Sequence, residues 1–322
     1  MCQPVRVSAE STDRPVCVLG LGLIGGSLLR AAVAAGRTAW GYNRSAIAAD
    51  EAVADGFDAG TDLVAALERA RREDAVVVVA VPEPALDPVL EQVARCAPGC
   101  VLTDVVSVKG AVLDAVRRHG LAARFVGGHP MAGTAQSGWS AGDGDLFRGA
   151  VWVVAAEDDT APEAWTRVAR LALDCGSVVV PAGAAEHDQA VARISHLPHL
   201  LAEALAVTAA SGGDLALALA AGSYRDGSRV AGTAPGLVRA MCEANAQALT
   251  VALDEALALL TDARRALATS GSTEALVEAG YRARRRHDDL DRWDITDIEI
   301  GAPGWAEALR DAGRRGGALR AL

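Results

Sequence analysis

The sequence predicts an α/β protein: a Rossmann-type, doubly wound parallel sheet followed by an all-α helical domain. Three observations carry this. A short apolar strand runs into a Gly-x-Gly-x-x-Gly turn and then a helix. Apolar strand-like runs and helical stretches then alternate as far as Val180. After Pro181-Ala182-Gly183, which reads as a hinge, Ala- and Leu-rich helical stretches dominate. The expected domains are therefore 1–181 and 182–322, and a chain of 322 residues is too long for most single cores.

Pro15–Leu19 is the first strand. Gly20, Gly22 and Gly25 follow at the spacing of a dinucleotide fingerprint, with Leu23 and Ile24 opening the helix whose N-terminus would hold a pyrophosphate. Gly20 permits the turn, Gly22 lets the backbone approach the phosphates, and Gly25 lets the helix pack on the strand. Thr38–Tyr42 is the second strand. At its end, where an acid holds the ribose hydroxyls in many NAD-binding folds, stand Asn43, Arg44 and Ser45. An acid there would repel a 2′-phosphate, whereas Arg44 could pair with it and Ser45 could donate to it, so NADP is favoured over NAD. The alternative is that Arg44 stacks on adenine or faces solvent.

Ala75–Val81 has the unbroken apolar character of a central strand, and Val81 and Pro82 lead into a loop expected along the cofactor. Cys100–Asp104, Val151–Ala155 and Ser177–Val180 are further strands, and Ala123–Val126 ends a short one. Leu197–Ser211, Asp214–Gly222, Gly236–Thr261 and Thr273–Arg285 are the main helices, followed by a last short one at Trp305–Gly313. Their many small apolar residues suit close helix packing and a homodimer interface.

Composition narrows the partners. Apolar residues make up 51% of the chain, yet there is no uninterrupted run of membrane-spanning length and no signal-peptide pattern in Met1–Arg14. A cytoplasmic protein with no membrane partner is expected. The formal charge of −10 argues against nucleic acid. The basic run Arg282–Arg286 reads as a solvated helix face, since Asp288, Asp289 and Asp291 follow it. Six cysteines lie at 2, 17, 96, 100, 175 and 242 without a CxxC pair, which suggests reduced thiols and no zinc site.

Three polar constellations carry the chemistry. Gly127-Gly128-His129-Pro130-Met131-Ala132-Gly133 sets one histidine in backbone-forming residues, whose glycines allow close approach or a positive φ. Taken alone, His129 could be a catalytic base or a buried histidine satisfied by backbone. His196 and His199 are three apart beside His187-Asp188; Pro198 and the lack of a carboxylate at ligand spacing argue against metal, and none is expected. Gly222–Arg229 reads as a polar loop whose Arg225 and Arg229 could grip a carboxylate or pair with surface acids. Lys109, in Asp104–Gly110, is the chain's single lysine among 31 basic residues.

Together, GLGLIGGS, DVVSVKG, GGHPMAGTAQSG, HD…SHLPH and GSYRDGSR, in order between Val16 and Asn245, resemble the prephenate/arogenate dehydrogenase family of tyrosine biosynthesis. The resemblance implies a Rossmann domain, a helical dimerisation domain and a small-molecule site in the cleft between them. It implies oxidative decarboxylation of arogenate to tyrosine or of prephenate to 4-hydroxyphenylpyruvate, with hydride passing to NAD(P). By motif, His129 matches the catalytic histidine and Ser107 the serine that orients the substrate near the nicotinamide. Arg229 matches the carboxylate-binding arginine, and His196 and Arg225 match pocket residues. Aromatisation drives the reaction, so no metal is needed to stabilise a carbanion.

Two positions depart from the family pattern. Ala135 stands where many prephenate-specific members carry an acid, which leaves Thr134 and Gln136 as neutral contacts and favours arogenate. Val238 stands where a tryptophan is common. The alternatives are another Rossmann-plus-helical dehydrogenase, such as a hydroxyacid dehydrogenase or imine reductase, and a catalytically silent dinucleotide sensor. The hydroxyacid enzymes use a second-domain lysine, and this chain has no lysine beyond Lys109.

Overall fold

The structure, a computed structural model, describes residues 14–134 and 136–322; Ala135, with the substrate preference read from it, lies outside the described residues. The chain divides into two compact units. One comprises the described part of Met1–His187 together with Trp293–Leu322, and the other is Asp188–Arg292.

In chain order the first unit begins β1 (Val16–Leu19), α1 (Leu23–Ala34), β2 (Ala39–Tyr42), α2 (Ala46–Ala54), β3 (Ala59–Gly60) and α3 (Leu63–Glu73). It continues with β4 (Val76–Val79), α4 (Leu86–Cys96), β5 (Leu102–Asp104), α5 (Gly110–Arg118), β6 (Phe125–Val126) and β7 (Gly128–Pro130). Then come β8 (Val151–Ala155), α6 (Pro162–Asp174), β9 (Val178–Ala182) and α7 (Ala184–Val191), within which the division between units falls. Six parallel strands form one sheet in the order β3-β2-β1-β4-β5-β6. This is the doubly wound order expected of a dinucleotide fold.

Alternation along the central strands explains their apolar runs. Val16, Val18, Val76 and Val78 enter one core with Leu28, Leu29 and Ala32 of α1, while Cys17, Leu19, Val77 and Val79 enter the other with Leu67 of α3 and Leu90 of α4. Both faces are covered, so neither face can be polar. A second sheet, β7-β8-β9, has β7 antiparallel to β8 at its edge and β9 parallel to β8.

The second unit holds α8 (Leu197–Ser211), α9 (Gly213–Ala218), α10 (Gly222–Ser228), α11 (Pro235–Ala244), α12 (Ala246–Ser270) and α13 (Glu274–Asp288). The stretch expected as one helix over 236–261 is broken at Asn245, whose side chain turns inward and donates from Nδ2 to the carbonyl of Asp188 at 2.8 Å. Val238, Cys242 and Leu249 form a small core there.

The units divide differently from the expected 1–181 and 182–322. Pro181 and Ala182 are not a hinge: both lie in β9, in register with Val154 and Ala155 of β8. After β10 (Trp293–Asp294), helix α14 (Trp305–Arg314) buries Ala306, Leu309 and Ala312 in the first unit's core, and β11 (Gly317–Ala318) pairs with β10. Leu319 bridges Val179 of β9. A Cβ on Gly313 would lie 1.9 Å from the Pro181 carbonyl oxygen, so close approach of α14 to β9 requires glycine. Spacing alone gives no sign that an amphipathic helix packs on a sheet formed more than 120 residues earlier.

Candidate active site

The glycine turn after β1 fits a dinucleotide. Gly20 has φ +109°, and a Cβ there would lie 2.5 Å from the Ala80 carbonyl oxygen; one on Gly25 would lie 1.9 Å from the Gly20 carbonyl oxygen. Turn and packing therefore demand both glycines. Gly22 differs, because its Cβ would meet no atom within 4 Å. A ligand could therefore approach the backbone there. Gly22 also begins α1 without a side-chain cap, so among the described residues the first-turn N–H groups around Leu23 and Ile24 lack a side-chain acceptor and can receive a phosphate.

At the end of β2, Asn43 Oδ1 accepts from the Leu21 N–H at 3.0 Å, and Nδ2 donates to the Ser45 carbonyl at 3.3 Å. Asn43 thus ties the strand end to the glycine turn and brings no charge to it. Arg44 and Ser45 are exposed, and Ser45 makes no side-chain cap to α2. Val81 is half-buried and Pro82 exposed in the segment after β4.

His129 lies within a strand rather than after one. It pairs with Val153 of β8, and neither Gly127 nor Gly128 has a positive φ. What Gly128 supplies is proximity: a Cβ there would lie 2.6 Å from the Asp104 carbonyl oxygen. The half-buried His129 places Nδ1 2.8 Å from Nε2 of His187, with the rings edge to face. One of these nitrogens must donate and the other accept, so the two imidazoles constrain each other's tautomer. In the sequence His187 stands out only as part of the HD…SHLPH motif. A contact spanning 58 residues leaves no local signal beyond the polar His-Asp pair.

Behind β7 sits a buried ion pair, Asp104 with Lys109, exposed 0% and 1%. Asp104 accepts from the Gly128 N–H at 3.1 Å and the Val106 N–H at 3.0 Å; Lys109 Nζ donates to the Gly128 carbonyl at 2.6 Å. Burial raises the Asp104 pKa, and the Lys109 ammonium and both N–H donors oppose that rise. Ser107 lies half-buried in the loop between β5 and α5. Thr134 and Gln136 are exposed, with the Gln136 N–H donating to Thr134 Oγ1 at 3.3 Å.

In the second unit, the segment expected as a polar loop is helical. Arg225 lies in α10, and Arg229 opens the 3-10 turn Arg229–Gly232. Both are exposed, and among the described residues neither guanidinium has an ion-pair or hydrogen-bond partner. This differs from pairing with surface acids and leaves two cations one helical turn apart. Burial lowers the His199 pKa, with Glu203 raising it and the Arg229 charge lowering it further. His196 is fully buried, and its Nδ1 lies 3.1 Å from Asn245 Nδ2, which makes Nδ1 the acceptor.

Residues 27–181 match the family described as "Prephenate dehydrogenase, nucleotide-binding domain", and residues 183–279 match "Prephenate dehydrogenase, dimerization domain". A cyclohexadienyl dehydrogenase from Zymomonas mobilis subsp. mobilis is 30% identical over 262 residues, covering 79% of this chain and 88% of its own. Among solved structures, a Corynebacterium glutamicum chain provisionally named a prephenate dehydrogenase superposes with TM-score 0.90 at 51% identity, covering 95% of this chain and 98% of that one. The prephenate dehydrogenase of Aquifex aeolicus, in complex with hydroxyphenyl propionate and NAD+, superposes with TM-score 0.77 at 25% identity, covering 88% of this chain and 100% of that one.

Proposed function

The chain belongs to the prephenate dehydrogenase family, and from that premise we propose that it oxidatively decarboxylates a cyclohexadienyl acid, arogenate in preference to prephenate, with NADP preferred to NAD. The observation that carries the reading is His129 on β7, with Nδ1 against His187, because in the tautomer whose Nδ1–H donates to His187 the basic nitrogen of the ring is Nε2. His129 takes the proton of the substrate's ring hydroxyl, and Ser107 orients that hydroxyl. When bound, the dinucleotide supplies the acceptor for the hydride leaving C4. Arg229 and Arg225 hold substrate carboxylate, His196 helps shape the pocket, and Thr134 and Gln136 meet the side-chain end. Loss of carbon dioxide from C1 makes the ring aromatic and draws the reaction forward.

The test is turnover with prephenate and with arogenate, each with NAD and with NADP. Arogenate with NADP should give the highest kcat/KM, and no turnover in any combination would overturn the reading. The NADP preference is supported by exposed Arg44 and uncharged Asn43 at the end of β2. Arg44→Ala should raise the KM for NADP roughly tenfold or more, the loss of one charge-assisted contact, and leave that for NAD unchanged. An equal effect on both cofactors would remove Arg44 from the 2′-phosphate.

We also propose a homodimer formed through the second unit. Its 25-residue helix α12 buries only Leu249 and Ala252, and leaves Val251, Leu257, Leu259, Leu260 and Leu267 at least half exposed. So much unpartnered apolar surface on one helix suits a protein interface. Light scattering should give twice the chain mass; a monomer at micromolar concentration would remove the proposal.

A further inference from the structure

We propose that Asp104 and Lys109 are positioning residues, a single buried anchor that holds the two proposed catalytic residues, Ser107 and His129, in register with each other. The inference rests on the function proposed above. Its basis is which backbone groups the pair takes. Asp104 accepts from the N–H of Val106, one residue before Ser107, and from the N–H of Gly128, one residue before His129. Lys109 neutralises that carboxylate and takes the Gly128 carbonyl at 2.6 Å.

Strand geometry explains why Gly128 needs them. Among the described residues, β7 is an edge strand whose only ladder partner is β8. The Ala155 N–H donates to the Gly127 carbonyl, and the Met131 N–H donates to the Val151 carbonyl. Odd-numbered residues therefore bond towards β8, and alternation turns both polar groups of Gly128 away from it. Satisfying them together needs an acceptor and a donor side by side in a dry place. A carboxylate and an ammonium meet that need with no net buried charge. Only glycine at 128 allows the approach, since a Cβ would collide with the Asp104 carbonyl.

The scaffold has other means of fixing this region. Phe125 and Val126 already pair with Leu102 and Thr103 in the main sheet, and β7 pairs with β8. What the ion pair adds is a direct tie between the Ser107 loop and the His129 strand, 22 residues apart in sequence. It would also account for a lysine in a chain whose other basic residues are all arginine. A guanidinium is larger and planar, whereas a compact ammonium can donate to a carboxylate and a carbonyl at once.

The test uses the full chain with Lys109→Met and with the double variant Asp104→Asn/Lys109→Met, which leaves no uncompensated buried charge. The double variant should melt close to the parent and bind dinucleotide with unchanged Kd, while kcat falls roughly 10- to 100-fold through loss of alignment. Lys109→Met should show the same split if it folds. A readout independent of turnover is the His129 ring in 15N NMR, identified by its loss in His129→Asn; its resonances should move in either variant. A folded double variant with kcat near that of the parent and an unmoved His129 ring would overturn the proposal. So would failure of both variants to fold, which would assign the pair to the scaffold. A parent inactive on every substrate but with a His129 ring that moves in the variants would count against the function and leave the anchor standing.

Discussion

His129→Asn should lower kcat roughly 10²- to 10⁴-fold, the span usual for removal of a positioned general base. Dinucleotide affinity should not change, because the glycine turn and Asn43 follow β1 and β2 rather than β7. Asparagine can still hydrogen-bond towards His187, so the site loses basicity with little loss of shape. Steady-state kinetics, with a separate cofactor titration, read both effects. A kcat within a few-fold of the parent would remove His129 from the proton-transfer role.

Arg229→Ala should act mainly on KM. Its guanidinium is exposed and has no partner among the described residues, so truncation orphans no carboxylate and stability should hardly change. If Arg229 grips a substrate carboxylate out of water, its loss costs about 2–4 kcal/mol, roughly a 30- to 800-fold fall in kcat/KM. Most of that fall should appear as raised KM, because the same contact is made in ground and transition states. Arg225→Ala is the natural comparison, since it lies one turn earlier on the same segment. Unchanged KM in the Arg229 variant would take that residue out of substrate binding.

The fold was legible wherever a local pattern has a single structural solution. Strand, glycine turn and helix between Val16 and Val33 admit few alternatives, and the unbroken apolar run Val76–Val79 requires a strand covered on both faces. The candidate site was legible by residue type, because a histidine between glycines and two arginines four apart are few in a chain of this composition. Other features depended on distant partners. Gly127 and Gly128 look like turn glycines, yet Gly128 is needed for contact with Asp104, a residue the sequence places in a different strand. The break at Asn245 arises from an inward side chain, which helical periodicity does not register. Pro181 looks like a hinge, but β8 recruits it into a strand.

By itself, then, the sequence determined the dinucleotide turn, the parallel sheet and the residue types of the proposed chemistry, because each follows from local sterics, periodicity or charge. Only the tertiary structure decided that His187 is the partner of His129, that Asp104 and Lys109 hold Gly128, and that the last thirty residues return to the first unit. Those contacts join segments far apart in sequence. They are selected by burial, which compels each enclosed polar group to find a partner and each apolar helix face to find a core.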